Sequence, residues 1–279
     1  MSDLACRIAA LYVHPVKSCG GIAVDEALLI ETGLEFDRAW MLVDANGAML
    51  TQRDEPRMAL VKPTLRHHDL VLRAPGMLAL HLALDRVEAP TRAKVWNDEV
   101  KAYDMGDLPA QWFSDLLGRP LRLVRFDPEQ QRLADRKWTG EIAAEAAFAD
   151  AFPLLVASTA SIDDFNRHLA QPVGIERFRP NLVLDGLQPW DEDSIDTLRI
   201  TTDEGQVVLK LVKPCTRCSM PDVDPATAEA GHAVGDALQQ HRRDPRMNGA
   251  VTFGMNAVIV EGNERMLRTG QQAEATFSF

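Results

Sequence analysis

The chain has 279 residues, 41 acidic and 30 basic, for a formal charge of −11. Hydrophobic residues make up 46% and charged residues 25%, which excludes a disordered chain, a collagen-like chain and a basic protein that coats nucleic acid. The length suits one large domain or two modest ones.

Along the first 125 residues, short apolar or alternating runs predict strands at Ile8–Val13, Ala27–Ile30, Trp40–Val43, Met58–Leu65, Leu70–Leu72 and Leu78–Leu82. Asn46-Gly47 predicts a hairpin between Trp40–Asp44 and Met49–Thr51, because Asn-Gly accepts the positive φ of a tight turn. Strands at this spacing suggest a barrel or sandwich. Leu108–Leu117 reads as a helix stopped by Gly118, and Leu121–Phe126 as the strand after it. Residues 127–150 are charged and Ala-rich and read as a link between two units.

In the second half, Leu154–Ala157 is a short strand, and Ser158 or Thr159 caps a helix reaching about Leu169. Strands follow at Asn181–Leu184, Thr197–Ile200 and Val207–Val212, then a helix at Ala233–Gln240 and a buried strand at Ala257–Val260. The acidic run Trp190–Asp196 and the pair His67-His68 read as solvated. The fold class is α+β and strand-rich, in two parts, residues 1–125 and 126–279.

Cysteines stand at 6, 19, 215 and 218. One close C-x-x-C with two distant thiols is neither a secreted disulfide framework nor a common iron–sulfur spacing. Pro221 and Pro225 argue against a thioredoxin-type helix starting at Cys215, and the seven histidines offer no second ligand pair for zinc. Two readings of Cys215-Thr216-Arg217-Cys218 stay open. The cysteines are buried small side chains at a strand end, or one is a soft thiolate ligand for a metal, favoured by Lys213 and Arg217.

Three other segments collect cations. Glu176-Arg177-Phe178-Arg179-Pro180-Asn181 is either a pair of surface arginines or an anion clamp, since guanidinium matches phosphate bidentately. Pro15-Val16-Lys17-Ser18-Cys19-Gly20-Gly21 sets a cation, a hydroxyl and two glycines after a strand, in the wrong order for a Walker A loop. Asp37-Arg38-Ala39-Trp40 and Thr51-Gln52-Arg53 each add one cation.

Taken in order, LYVHPVKSCGG (11–21), DRAWMLV (37–43), TQRDEP (51–56), FPLLVAS (152–158), RFRPNLV (177–183), CTRCSMPDVDP (215–225) and Gly254–Asn256 resemble the MOSC superfamily. The branch is the one with an N-terminal β-barrel domain, which includes the mitochondrial amidoxime-reducing components and their bacterial relatives. The resemblance implies an N-terminal β-barrel-like domain (1–125) and a C-terminal MOSC β-barrel with peripheral helices (126–279). It implies a pyranopterin molybdenum cofactor between them, with Cys218 as the molybdenum ligand and the catalytic residue. Lys17, Ser18 and Arg38 would hold the cofactor from the first domain, and Ser158, Arg179 and Asn181 from the second, with Thr216 and Arg217 beside the ligand. Ser219-Met220-Pro221 departs from the apolar and Thr residues usual in relatives, so contacts on the substrate side differ. No pyridoxal phosphate is expected.

The implied activity is reduction of N-hydroxylated compounds such as hydroxylamines and amidoximes. Electrons would come from a separate ferredoxin-, flavoprotein- or cytochrome-type donor, because the chain ends without a ferredoxin domain. The alternatives are a cofactor carrier or persulfide sulfur-transfer protein, and a binding module that has lost the metal. Met1–Arg7 carries an acid where a signal peptide needs base, and no apolar run approaches ~18 residues. The expected protein is cytoplasmic, with no membrane or nucleic-acid partner.

Overall fold

Buried and outward residues alternate along Leu4–Val13, the period that gives a strand one core face. The computed structural model describes residues 4–278. Met1–Asp3, whose acid weighs against a signal peptide, and Phe279 lie outside them. Seven strands close a barrel in the spatial order Leu154–Ser158, Leu182–Asp185, Leu4–Val13, Gln272–Phe277, Ile195–Thr202, Gly205–Thr216 and Ala250–Glu261. The last pairs back onto the first, so the barrel leaves no open edge. All neighbours are antiparallel except Leu154–Ser158 with Leu182–Asp185. Ile8, Leu11, Val156, Leu184, Leu198, Leu209 and Ala275 fill its interior with no exposed surface. Gly254 makes the closure possible. Its φ is +73°, and a Cβ there would meet the Val156 carbonyl oxygen at 2.7 Å.

One strand crosses the predicted division of the chain. Leu4–Val13, read as part of the first unit, belongs to the barrel of second-half strands, with Leu4 opposite Ala275 and Leu11 opposite Leu182. The chain then leaves the barrel at Pro15 and enters the other half.

That half holds a four-stranded sheet, in the order Trp40–Val43, Arg122–Phe126, Asp98–Asp104, Ala89–Val95, and a three-stranded one of Lys62–Leu65, Asp69–Arg73 and Leu80–Ala83. The Asn46-Gly47 turn forms as read, with Gly47 at φ +73° and Val43 bridged to Met49. Helix Asp107–Leu117 buries Trp112, Phe113 and Leu117 against Leu42, Met58, Leu72 and Leu123. Met58–Leu65 is not one strand. Pro56 opens a 3₁₀ turn, Pro56–Leu60, and the strand begins at Lys62. Helices Thr159–Asn166 and Ala233–His241 lie outside the barrel, the first ending short of Leu169. The acidic run is a 3₁₀ turn, Asp191–Ser194, and its Glu192 is fully buried rather than solvated. Among the described residues no helix is long and apolar enough to cross a membrane.

Candidate functional site

The segment His14–Ser18 ties the two halves together. Backbone bonds join Lys17 N to Trp40 O (2.8 Å), Trp40 N to Pro15 O (3.0 Å) and Arg38 N to His14 O (2.9 Å). Lys17, Ser18 and Arg38 are thereby set against one end of the barrel, where strand Gly205–Thr216 runs into Arg217 and Cys218. Arg217 N donates to Val251 O, which pins that turn to the neighbouring strand. Between these parts lies a crevice of about 120 Å³. It brings together eight of the nine residues named from the sequence: Lys17, Ser18, Arg38, Arg179, Asn181, Thr216, Arg217 and Cys218. Three of them, Ser18 (φ +66°), Arg38 (+48°) and Arg179 (+56°), have left-handed backbones, strain that clusters at functional sites.

Ser158, expected to contact the cofactor, is the exception. It is fully buried, caps helix Thr159–Asn166 by accepting from Ser161 N, and donates to Glu192 Oε2 at 2.9 Å. It does not line the crevice. Burial, the leading cause, raises the Glu192 carboxyl above its ordinary value, and the cluster anchors the helix behind the barrel wall.

Five cations line the crevice, Lys17, Arg38, Arg53, Arg179 and Arg217, against a single acid, Asp150. Their hydrogen bonds divide them. Lys17 Nζ donates to Asp150 Oδ1 (2.6 Å) and Phe148 O (2.7 Å). Arg38 is bound to Asp37, to Asn181 Oδ1 (3.2 Å) and to Arg179 O (3.0 Å). Asn181 also accepts from Leu155 N and donates to Tyr12 O, so its amide is committed to the wall. Arg179 Nη1 donates to Cys19 O at 2.5 Å, and Arg217 donates to Phe178 O (2.8 Å) and Cys215 Sγ (3.0 Å). Arg179 Nη2 and Arg217 Nε are buried without a partner. A buried guanidinium N–H left empty is costly, and an anion is the partner that both lack.

Ionisation follows the same field. Burial, then repulsion from Arg38, pushes Arg179 down to about 9. Burial together with Arg38 and Arg179 lowers His14 to about 3, so this buried imidazole is neutral. Burial opposes ionisation of Asp37, yet Arg38 and His14 hold it down at about 2. The Asp150 carboxyl is likewise held well below the carboxylate range by Lys17, against the cost of burial.

The cysteine pair is not the buried pair of the bland reading. Cys218 is exposed and Cys215 half-buried, both lining the crevice. Arg53, Asp150 and Asn256 also line it. From the sequence, Arg53 is only one more cation and Asp150 belongs to a link. The signal for Asp150 lies in space: Lys17 is 133 positions away.

Residues 5–120 match the model of the MOSC N-terminal beta barrel domain and residues 143–274 that of the MOSC domain. The chain is 36% identical over 231 residues to mitochondrial amidoxime reducing component 2 of Rattus norvegicus, covering 79% of this chain and 67% of the relative. It belongs to the MOSC family of the amidoxime-reducing components. Mitochondrial amidoxime-reducing component 1 of Homo sapiens is 35% identical over 232 residues, covering 79% and 67%. Molybdenum cofactor sulfurase of Homo sapiens is 30% identical over 270 residues, which are 89% of this chain and 29% of that one. The residues fit the pterin cofactor implied by the family: two unfilled guanidinium N–H groups for its anionic oxygens, and an exposed soft sulfur beside them.

Proposed function

We propose that this chain is a molybdenum cofactor-dependent reductase of N-hydroxylated compounds, supplied with electrons by a separate donor protein. The observation that carries the reading is the pairing of unfilled buried donors on Arg179 and Arg217 with the exposed Cys218 thiol in one crevice. When bound, the cofactor supplies the two-electron redox chemistry that removes the oxygen from the substrate nitrogen. The net change consumes two electrons and two protons and releases the amine and water.

The chain's own residues bind and orient. Cys218 offers the metal its soft ligand from the turn after strand Gly205–Thr216. Arg179 Nη2 and Arg217 Nε take anionic oxygens. Lys17 and Arg38, already bound to protein acceptors, fix the wall and keep its field positive. Asp150, held ionised by Lys17, offers a carboxylate to an N–H of the substrate. The same reading places the chain in the cytoplasm, with a ferredoxin-, flavoprotein- or cytochrome-type donor.

Likeness to the sulfurase and the exposure of Cys218 favour a second reading, a carrier of the cofactor or of persulfide sulfur. The test uses protein purified from cells that make the cofactor, assayed with benzamidoxime and a chemical electron donor. Wild type should turn over, and Cys218→Ser should lose at least about 100-fold in rate with its thermal midpoint unchanged. Full activity in the variant refutes the reductase role of Cys218. An inactive wild type with a sulfur adduct on Cys218 favours the second reading.

A further inference from the structure

The hairpin joining Ala89–Val95 to Asp98–Asp104 turns on two residues, Trp96 and Asn97, because Val95 faces Asp98. Of the two, only Trp96 has a positive φ, +57°. A positive φ at the first corner of a two-residue hairpin favours glycine. A bulky aromatic there is strained. It fills no core either, since Trp96 is 47% exposed.

Its contacts point to the crevice. Trp96 Nε1 donates to Asp150 Oδ1 at 3.3 Å, and the Arg53 guanidinium carbon lies 4.4 Å from its ring centroid. Asp150 and Arg53 both line the crevice, so the indole stands at its rim, carried there by the tip of the first-half hairpin. A partly exposed ring backed by a cation and set beside a carboxylate suits a planar aromatic body that bears N–H donors.

We propose that Trp96 is a specificity residue, a rim platform that selects aryl and heteroaryl N-hydroxy compounds, aryl amidoximes above all, over small ones such as hydroxylamine. This rests on the reductase reading of the site. The platform contacts the organic body of the substrate, leaving the reacting N–O group to the crevice.

The test compares wild type, Trp96→Gly and Trp96→Phe as cofactor-loaded proteins, with benzamidoxime and hydroxylamine as substrates. Trp96→Gly should raise KM for benzamidoxime about tenfold while KM for hydroxylamine and both kcat values move less than about twofold. Its thermal midpoint should stay level or rise, because glycine relieves the turn. Trp96→Phe should restore most of the benzamidoxime KM. Benzamidine should quench the tryptophan fluorescence of wild type and not that of Trp96→Phe. Equal KM changes for both substrates, no change for either, or a lowered midpoint with kcat falling on both would overturn the proposal and leave the reductase reading standing. A loaded wild type inactive on both substrates defeats that reading, and the platform with it.

Discussion

Two buried arginine settings meet around residue 150, and they are finished in opposite ways. Arg132 is 9% exposed, and each of its three guanidinium nitrogens has a partner. It donates to Asp98 Oδ2 (2.9 Å) and to the carbonyls of Ala147 (3.1 Å), Ala149 (2.7 Å) and Asp150 (3.0 Å). Across the crevice, Arg179 and Arg217 each keep a buried N–H with no acceptor. The first setting clamps the bend that carries Asp150; the second, on the proposed function, receives the ligand. On the proposed function, whether the guanidinium nitrogens already have partners, more than charge or burial, separates the structural arginine from the binding ones.

Substitution breaks this comparison most sharply at its two ends. Arg132→Met should destabilise the fold by on the order of 3 kcal/mol, because three carbonyls and a carboxylate lose their donor together. Arg179→Met should change stability by only about 1 kcal/mol in either direction, since relief of repulsion with Arg38 offsets the bond lost to Cys19. The ranking should invert for cofactor content, which Arg179→Met loses and the folded fraction of Arg132→Met keeps. Chemical denaturation and pterin assay measure the two effects.

A smaller effect sharpens the same contrast. His14 is neutral when folded, at about 3, against an ordinary histidine value of 6.5. Between these values the unfolded chain binds a proton that the folded one does not, so stability falls as pH drops from 6.5 toward 3 and is unaffected by this group above 6.5. Thermal midpoints taken from pH 6.5 to 4.5 should trace that fall. His14→Gln, which cannot take up the proton, should flatten the fall; the same fall in that variant would show that His14 is not its source.

Much of the barrel was legible because its strands bury apolar runs: Leu154–Ser158 and Leu182–Asp185 stand almost as read. Barrel closure was not. Leu4 meets Ala275 from the other end of the chain, and no local pattern encodes that. The hairpin of Ala89–Val95 and Asp98–Asp104 escaped notice because only Ala93, Val95, Val100 and Ala102 face inward, too few small apolar residues among charges to mark a period. Glu192 looked solvated because its partners, Ser158 and Ser161, lie 34 and 31 positions upstream.

The site divides similarly. Lys17, Arg38, Arg179 and Cys218 were named from ordered motifs and stand together. Ser158 was assigned to the cofactor through resemblance, while its plain reading as a helix cap describes what it does. Arg53, Trp96 and Asp150 form a chain across the rim that only the fold assembles.

The central claim is that Cys218 and the unfilled guanidinium donors hold one pyranopterin molybdenum group. Its most direct test is molybdenum and pterin content per chain, measured on wild type and Cys218→Ala purified from cells that make the cofactor. The account predicts close to one of each in wild type, with molybdenum lost from the variant. Wild-type protein free of both, or a variant that retains its molybdenum in full, would contradict it.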